Sequence, residues 1–281
     1  MTFNYIAAKK VFDCKPFIKN EYSKVLDIGV QTPSIKKNTI EKFVNIENLS
    51  SKQANHYKRI MENEKFTTKD FLLALGYSDY NSIDINGAEN SFQFDLNEDL
   101  FEFYKFKEVY DLVINNGTGE HIFNQYALFK NIHHLTNTNG IMLHILPFID
   151  WINHGFYNYN PIFFADLAAS NQYEILDITL ANRNGAELSL KNKKLIQIMF
   201  EQIKPDYNSS FKKIIENAKA QLGNNIFLVV ILKKVVFKIF SIPLQGKYLL
   251  DITGSNFKYN NQGPGSSKSF GQEKDGIKRN K

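Results

Sequence analysis

Cysteine is nearly missing from this chain: Cys14 stands alone, so neither a disulfide framework nor a cysteine-based metal site can be built. A single thiol fits a reducing compartment, and the expected location is the cytoplasm. Long apolar runs are missing too. The most apolar stretch, Ile226 to Leu232, is ended by Lys233 and Lys234, whereas a membrane span needs roughly 20 apolar residues. Met1 to Lys10 holds no apolar core bounded by a cleavage site, so no signal peptide is expected. A strong charge excess is absent from most of the chain. Of the net +5, the greater part lies after residue 252, where six basic residues face two acidic ones. The nearly neutral remainder argues against a nucleic-acid-binding surface spread over the fold.

What is present reads as an ordinary globular chain. Its 281 residues can bury one substantial core, and 43% hydrophobic with 22% charged residues is typical of such domains. Short apolar runs alternate with amphipathic stretches, the pattern of a mainly parallel sheet covered by helices. Val25 to Ile28 reads as a first strand ending at Gly29. A helix is predicted from Phe66 to Leu75, capped by Thr68 and ended by Gly76. Strands are predicted at Ser82–Asn86, Phe92–Leu96, Tyr110–Asn115, Ile141–Leu146 and Tyr173–Leu180, with Ile226–Leu232 closing the sheet. Helices are predicted over Ile122–Leu135 and from Pro161 to Ala169. Two more, near 188–203 and 210–222, would make a helical insertion spanning about 183–224. The domain is expected over 1–252, and the Gly-, Ser-, Asn- and Lys-rich segment 253–281 reads as a disordered polar tail.

Five constellations could carry chemistry. Gly29-Val30-Gln31 follows the first strand, where glycine lets the backbone turn sharply beside a nucleotide. Gln31 and Pro33 stand where a full glycine-rich fingerprint would have glycines, and an ordinary strand-to-helix turn explains the pattern as well. Asp84, after the second strand, has a carboxylate suited to two ribose hydroxyls, or to capping its own loop. Asp95-Leu96-Asn97 could meet an adenine amino group or simply form a turn. The segment from Tyr110 to Asn124 runs from a buried strand into a polar, glycine-punctuated loop, so the stretch from Asn115 to His121, with Asn116 and Gly117 in it, should face a ligand. Glu120 suits a helix start equally well. Finally, His154-Gly155-Phe156-Tyr157 leads through Asn160 to Pro161, an aromatic loop able to cover a substrate.

Together these segments resemble class I S-adenosylmethionine-dependent methyltransferases. Within them the chain resembles a bacterial group marked by Gly-x-Gln, Asp-Leu-Asn, Gly-Thr-x-Glu-His-x-Phe-Asn and His-Gly-Phe-Tyr-x-x-x-Pro. Here those are Gly29 to Gln31, Asp95 to Asn97, Gly117 to Asn124 and His154 to Pro161. The resemblance implies a doubly wound, Rossmann-like sheet of seven strands, the last antiparallel. It implies S-adenosyl-L-methionine as cofactor, with Gly29 and Gln31 beside its methionine portion, Asp84 at the ribose and Asp95 at the adenine. Asn115 and Asn116 would then lie near the sulfonium. The acceptor would be a small molecule or a glycan.

Methyl transfer needs a nucleophile held in line and, for a hydroxyl, relieved of its proton. His154 and His121 are the candidate bases, His154 being favoured because covering loops approach the acceptor. No metal is called for, since His56, His133, His134 and His144 show no ligand pattern with carboxylates. A nicotinamide-dependent or sugar-nucleotide enzyme is the alternative. Against it, Gly29 is followed by no second glycine, and Asp84 lies far beyond the usual ~20 residues. A non-catalytic binding module on the same fold is the third reading.

Overall fold

A computed structural model of the chain describes residues 2–190 and 207–244. Seven strands form one sheet: β1 (Lys24–Asp27), β2 (Asp79–Ser82), β3 (Tyr110–Asn116), β4 (Thr136–Ile149), β5 (Tyr173–Ala181), β6 (Glu187–Ser189) and β7 (Ile226–Lys234). Their order is β2-β1-β3-β4-β7-β5-β6. β2, β1, β3 and β4 pair in parallel, while β7 runs antiparallel to both β4 and β5. The fold is therefore a doubly wound α/β sheet with an antiparallel end.

Each strand sends alternate residues to opposite faces. On β7, Phe227, Val229 and Ile231 enter one core, and Leu228, Val230 and Leu232 enter the other. The first core is closed by α1 (Tyr5–Cys14), α3 (Ser51–Glu62) and α4 (Thr68–Ala74), through Ile6, Val11, Ile60, Phe71 and Leu72. A short α2 (Lys37–Ile40) adds Ile40 to it. The second is closed by α6 (Gln125–Leu135) and α7 (Pro161–Asn171), with Phe129, Ile132, Phe164 and Leu167 against the strands. The short α5 (Leu100–Phe103) and α8 (Tyr207–Leu222) complete that side. Burial of each such side chain stabilises by roughly 1.5–3 kcal/mol, so both faces of the sheet must be covered.

Five expectations are corrected. Phe92–Leu96 is not a strand: only Phe92 bridges to Ile83. Its Phe92 and Phe94 rings stack at 5.4 Å, and Phe94 also stacks on Tyr104, so the segment is held by packing on one side rather than by a ladder. The seventh strand is instead β6, hairpinned on β5 where a helix was predicted to begin. The rest of that predicted helix, from 191 to 203, lies outside the described residues, as does the tail from Thr253. β2 ends earlier than expected because Asp84 begins a turn, Gly87 N donating to its carbonyl. Thr67, not Thr68, caps α4, accepting from Asp70 N at 3.1 Å, while Thr68 donates to the Gln31 carbonyl at 2.7 Å. Ile226–Leu232 does not close the sheet as expected, since β7 lies inside it between β4 and β5. Helix α1 was not anticipated, although Asn4 caps it by accepting from Ala7 N. Among the described residues, no helix is long and apolar enough to cross a membrane.

Candidate functional site

β2 and β3 flank β1 on opposite sides, so the winding of the sheet reverses at β1 and leaves a crevice at its carboxyl end. Gly29 sits in that crevice. A Cβ there would come within 2.1 Å of Thr118 Oγ1, so only glycine lets the β1 loop close on the β3 loop. Asp84 reaches across from the β2 side. Its Oδ2 accepts from Val30 N at 3.2 Å and its Oδ1 from Asn86 N at 2.9 Å. Gln31 is buried, and its Oε1 has no hydrogen-bond partner among the described residues. Beneath the loop, burial raises the Asp27 carboxyl well above the usual carboxylate range.

Asp95 is folded back on its own turn, its Oδ1 accepting from both the backbone and the side-chain amide of Asn97. Asn97 in turn accepts from Asn124 N at 2.9 Å and receives the Asn124 amide on its carbonyl. The Asp-Leu-Asn turn and the Phe-Asn end of the β3 loop are thus one hydrogen-bonded unit.

The two asparagines ending β3 differ. Asn115 is fully buried, its Oδ1 accepting from Gly119 N at 2.9 Å and its amide 3.3 Å from His144 Nδ1. It braces the loop from behind, so its side chain does not face a ligand as expected. Asn116 is equally buried, yet neither polar atom of its amide has a partner among the described residues. Gly117 follows, its N–H donating to the Ile145 carbonyl on β4.

Beyond Gly117, a turn of 3-10 helix (Gly119–His121) places Glu120 where the loops after β3 and β4 meet. Glu120 is 0% exposed, and neither carboxylate oxygen has a hydrogen-bond partner among the described residues. His154 Nε2 lies 3.4 Å from Glu120 Oε1 and His121 Nε2 lies 3.7 Å from it. The two imidazole rings stand edge to face at 5.1 Å. Burial pushes the Glu120 carboxyl up to about 7 and holds both histidines below their ordinary value.

The surrounding backbone fixes this group. Phe156 N donates to the Glu120 carbonyl at 2.8 Å, and Tyr157 N does so at 3.3 Å. A Cβ on Gly155 would lie 2.8 Å from Glu120 Cγ and 2.9 Å from its carbonyl oxygen, so glycine is what admits the approach. Trp151 packs on the His154 ring at 4.8 Å and is itself anchored by its indole N–H on the Ile226 carbonyl. Exposed Phe123 and Phe156 meet edge to face beside it.

The structure therefore joins both expected histidines at Glu120, while Asp84 bonds the β1 loop and Asp95 bonds the turn that is tied to Asn124. Glu120, for which the sequence left a helix-start role and a chemical role equally open, is the residue on which the two histidines converge. The available signal was an acidic residue beside a histidine after one strand and a His-Gly pair after the next.

Neither a family model nor a curated protein sequence matches the chain. Solved structures with partial likeness include an O-methyltransferase from a trans-AT PKS multienzyme of Brevibacillus brevis, in complex with S-adenosyl-L-homocysteine. It is 17% identical over 80% of this chain and 71% of that one, with a TM-score of 0.40. A SAM-dependent methyltransferase from Archaeoglobus fulgidus is 12% identical over 82% of this chain and 93% of its own, with a TM-score of 0.41.

Proposed function

We propose that the chain transfers a methyl group from S-adenosyl-L-methionine to a small-molecule or glycan acceptor. The observation that carries this reading is β7, antiparallel between β4 and β5 in a sheet whose winding reverses at Gly29. That is the arrangement implied by the methyltransferase resemblance, whereas dinucleotide-binding sheets continue in parallel across this position.

The residues at the crevice fit such a cofactor. Asn116 and Gln31 offer buried polar atoms without partners among the described residues, suited to the methionine portion. Gly29 and Gly117 let backbone approach it. Asp84 retains free lone pairs after its two backbone bonds, enough to accept from ribose hydroxyls. Asp95 would take the adenine side. When bound, the cofactor supplies an electrophilic methyl on a sulfonium, whose leaving group is a neutral thioether. Glu120, His121 and His154 then form the acceptor side, holding the nucleophilic atom in line and drawing off the proton of a hydroxyl.

Calorimetry with adenosylmethionine, adenosylhomocysteine and NAD tests the reading. Stoichiometric binding of the two adenosyl ligands without heat from NAD is expected. Binding of NAD in competition with adenosylhomocysteine would replace methyl transfer by a nicotinamide-dependent reaction.

A further inference from the structure

We infer that Glu120, His121 and His154 form a binding site for a divalent transition-metal ion. The three contribute one carboxylate oxygen and two imidazole nitrogens, all within 4.8 Å of one another. Ligand atoms ~2.0–2.2 Å from such an ion, at angles near 90–110°, stand about 2.8–3.6 Å apart. The distances from Glu120 Oε1, 3.4 Å to His154 Nε2 and 3.7 Å to His121 Nε2, match this spacing to within a tenth or two of an ångström.

The independent observation is the state of Glu120. A carboxylate removed from water is costly unless a cation or hydrogen-bond donors compensate it. Glu120 is completely buried, and neither of its oxygens has a hydrogen-bond partner among the described residues. The buried Nε2 of His154, also without one, is the nitrogen nearest to it. The chain nevertheless invests in placing this group: two backbone N–H groups hold the Glu120 carbonyl, glycine at 155 admits the contact, and Trp151 fixes the His154 ring. Among the described residues nothing donates a hydrogen bond to this carboxylate, whereas an ion held between the three side chains would compensate it.

Two imidazoles and one carboxylate suit zinc, iron(II) or manganese(II), and exclude ions that require an all-oxygen shell. Three protein ligands leave coordination positions open, the condition of a reactive rather than a structural site. The ion binding stands without the methyl-transfer reading. Its consequence for catalysis rests on that reading: an ion there would lower the pKa of an acceptor hydroxyl so that its proton passes to water, and His121 and His154 would then hold the ion instead of taking that proton themselves.

The test uses the full chain stripped by chelator and titrated with Zn²⁺ by calorimetry, then with Co²⁺ followed by visible absorption. One ion per chain is expected, with d–d bands characteristic of mixed nitrogen and oxygen ligation. Since disturbing even the groups behind a ligand costs about 10- to 100-fold in affinity, Glu120→Gln and His121→Gln should each weaken binding at least about 100-fold. His121 is half exposed, so its variant keeps the fold even where one at Glu120 does not. His134→Gln, remote from the group, should bind as the parent does. Absence of binding, or binding that survives both Glu120→Gln and His121→Gln in folded protein, overturns the site. Metal binding with no adenosylhomocysteine binding keeps the ion and rejects the methyl-transfer reading.

Discussion

The loops at the carboxyl end of the sheet carry two polar neighbourhoods. After β2, Asp84 and Asp95 already accept two hydrogen bonds each from the chain itself. After β3, Glu120 and Asn116 are more deeply buried and accept none among the described residues. The first kind of residue shapes a loop and offers a ligand only its remaining lone pairs. The second makes no hydrogen bond among the described residues, and burying it costs free energy that a bound group would offset. Exposure alone would have ranked the two sides the other way.

The largest expected effect concerns the brace behind the unpartnered side. Burial pushes the His144 imidazole down to about 3 from an ordinary 6.5. A base whose folded value is depressed contributes stability that is complete above its unfolded value and lost as pH falls toward the folded one. The full difference corresponds to about 5 kcal/mol, of which about 3 kcal/mol is lost by pH ~4. Denaturant unfolding across this range should show a shallower decline for His144→Gln, by about one proton, with little change near neutrality. Parallel declines in the two proteins would mean that His144 takes up its proton in the folded state.

Asp84 is the next test, because the contrast assigns it two duties. Removing its carboxylate deletes charged hydrogen bonds, each worth roughly 1.5–3 kcal/mol, from the Gly29 loop and from any ribose it receives. Asp84→Ala should weaken adenosylhomocysteine binding by about ten- to 150-fold. Asp84→Asn, which keeps one acceptor oxygen, should fall between. Unchanged affinity in Asp84→Ala would make this residue a turn former only.

Glu120 should behave in the opposite sense. Replacing an unpartnered buried carboxylate by an apolar side chain of similar length removes a desolvation cost of about 1–3 kcal/mol. In metal-free buffer Glu120→Met is therefore expected to melt higher than the parent, while Asp84→Ala melts no higher. A destabilised Glu120→Met protein would show that the carboxylate has a partner in solution and would erase the difference between the two sides.

These sides were not equally legible in the sequence. The doubly wound sheet was, because β3, β4 and β7 each contain a short apolar stretch bounded by glycine, lysine or polar residues. Phe92–Leu96 misled because alternating aromatics look the same whether they pack a sheet face or each other. The positions of Asp84 and Gly29 after strands were legible, as was that of Glu120 in the loop after β3. The burial of Glu120 was not, since it depends on Gly155 and on a loop arriving from the next strand. Contacts made across 34 residues of chain, like those from Tyr157 to Phe123 and from Tyr159 to Gln125, leave no local periodicity to read.

The smallest effect probes the boundary between the two sides. Gly29→Ala places a Cβ 2.1 Å from Thr118 Oγ1 and 3.2 Å from Thr118 Cβ, so one loop must move off the other. Rotating the threonine does not cure this, because its Cγ2 is within 3.3 Å of the same point. Overpacking of this kind opens the crevice and should weaken adenosylhomocysteine binding. Thr118→Ala in the Gly29→Ala background removes both offending groups and should recover most of the loss. Thr118→Ala alone should do little, as its hydroxyl caps no neighbouring helix end. The coupling between the two changes is expected at about 1 kcal/mol, or a roughly five-fold change in Kd beyond additivity. Residues that close on each other must show it. Strictly additive effects would mean that the β1 and β3 loops stand apart in solution, and that Gly29 is required only for the turn after its own strand.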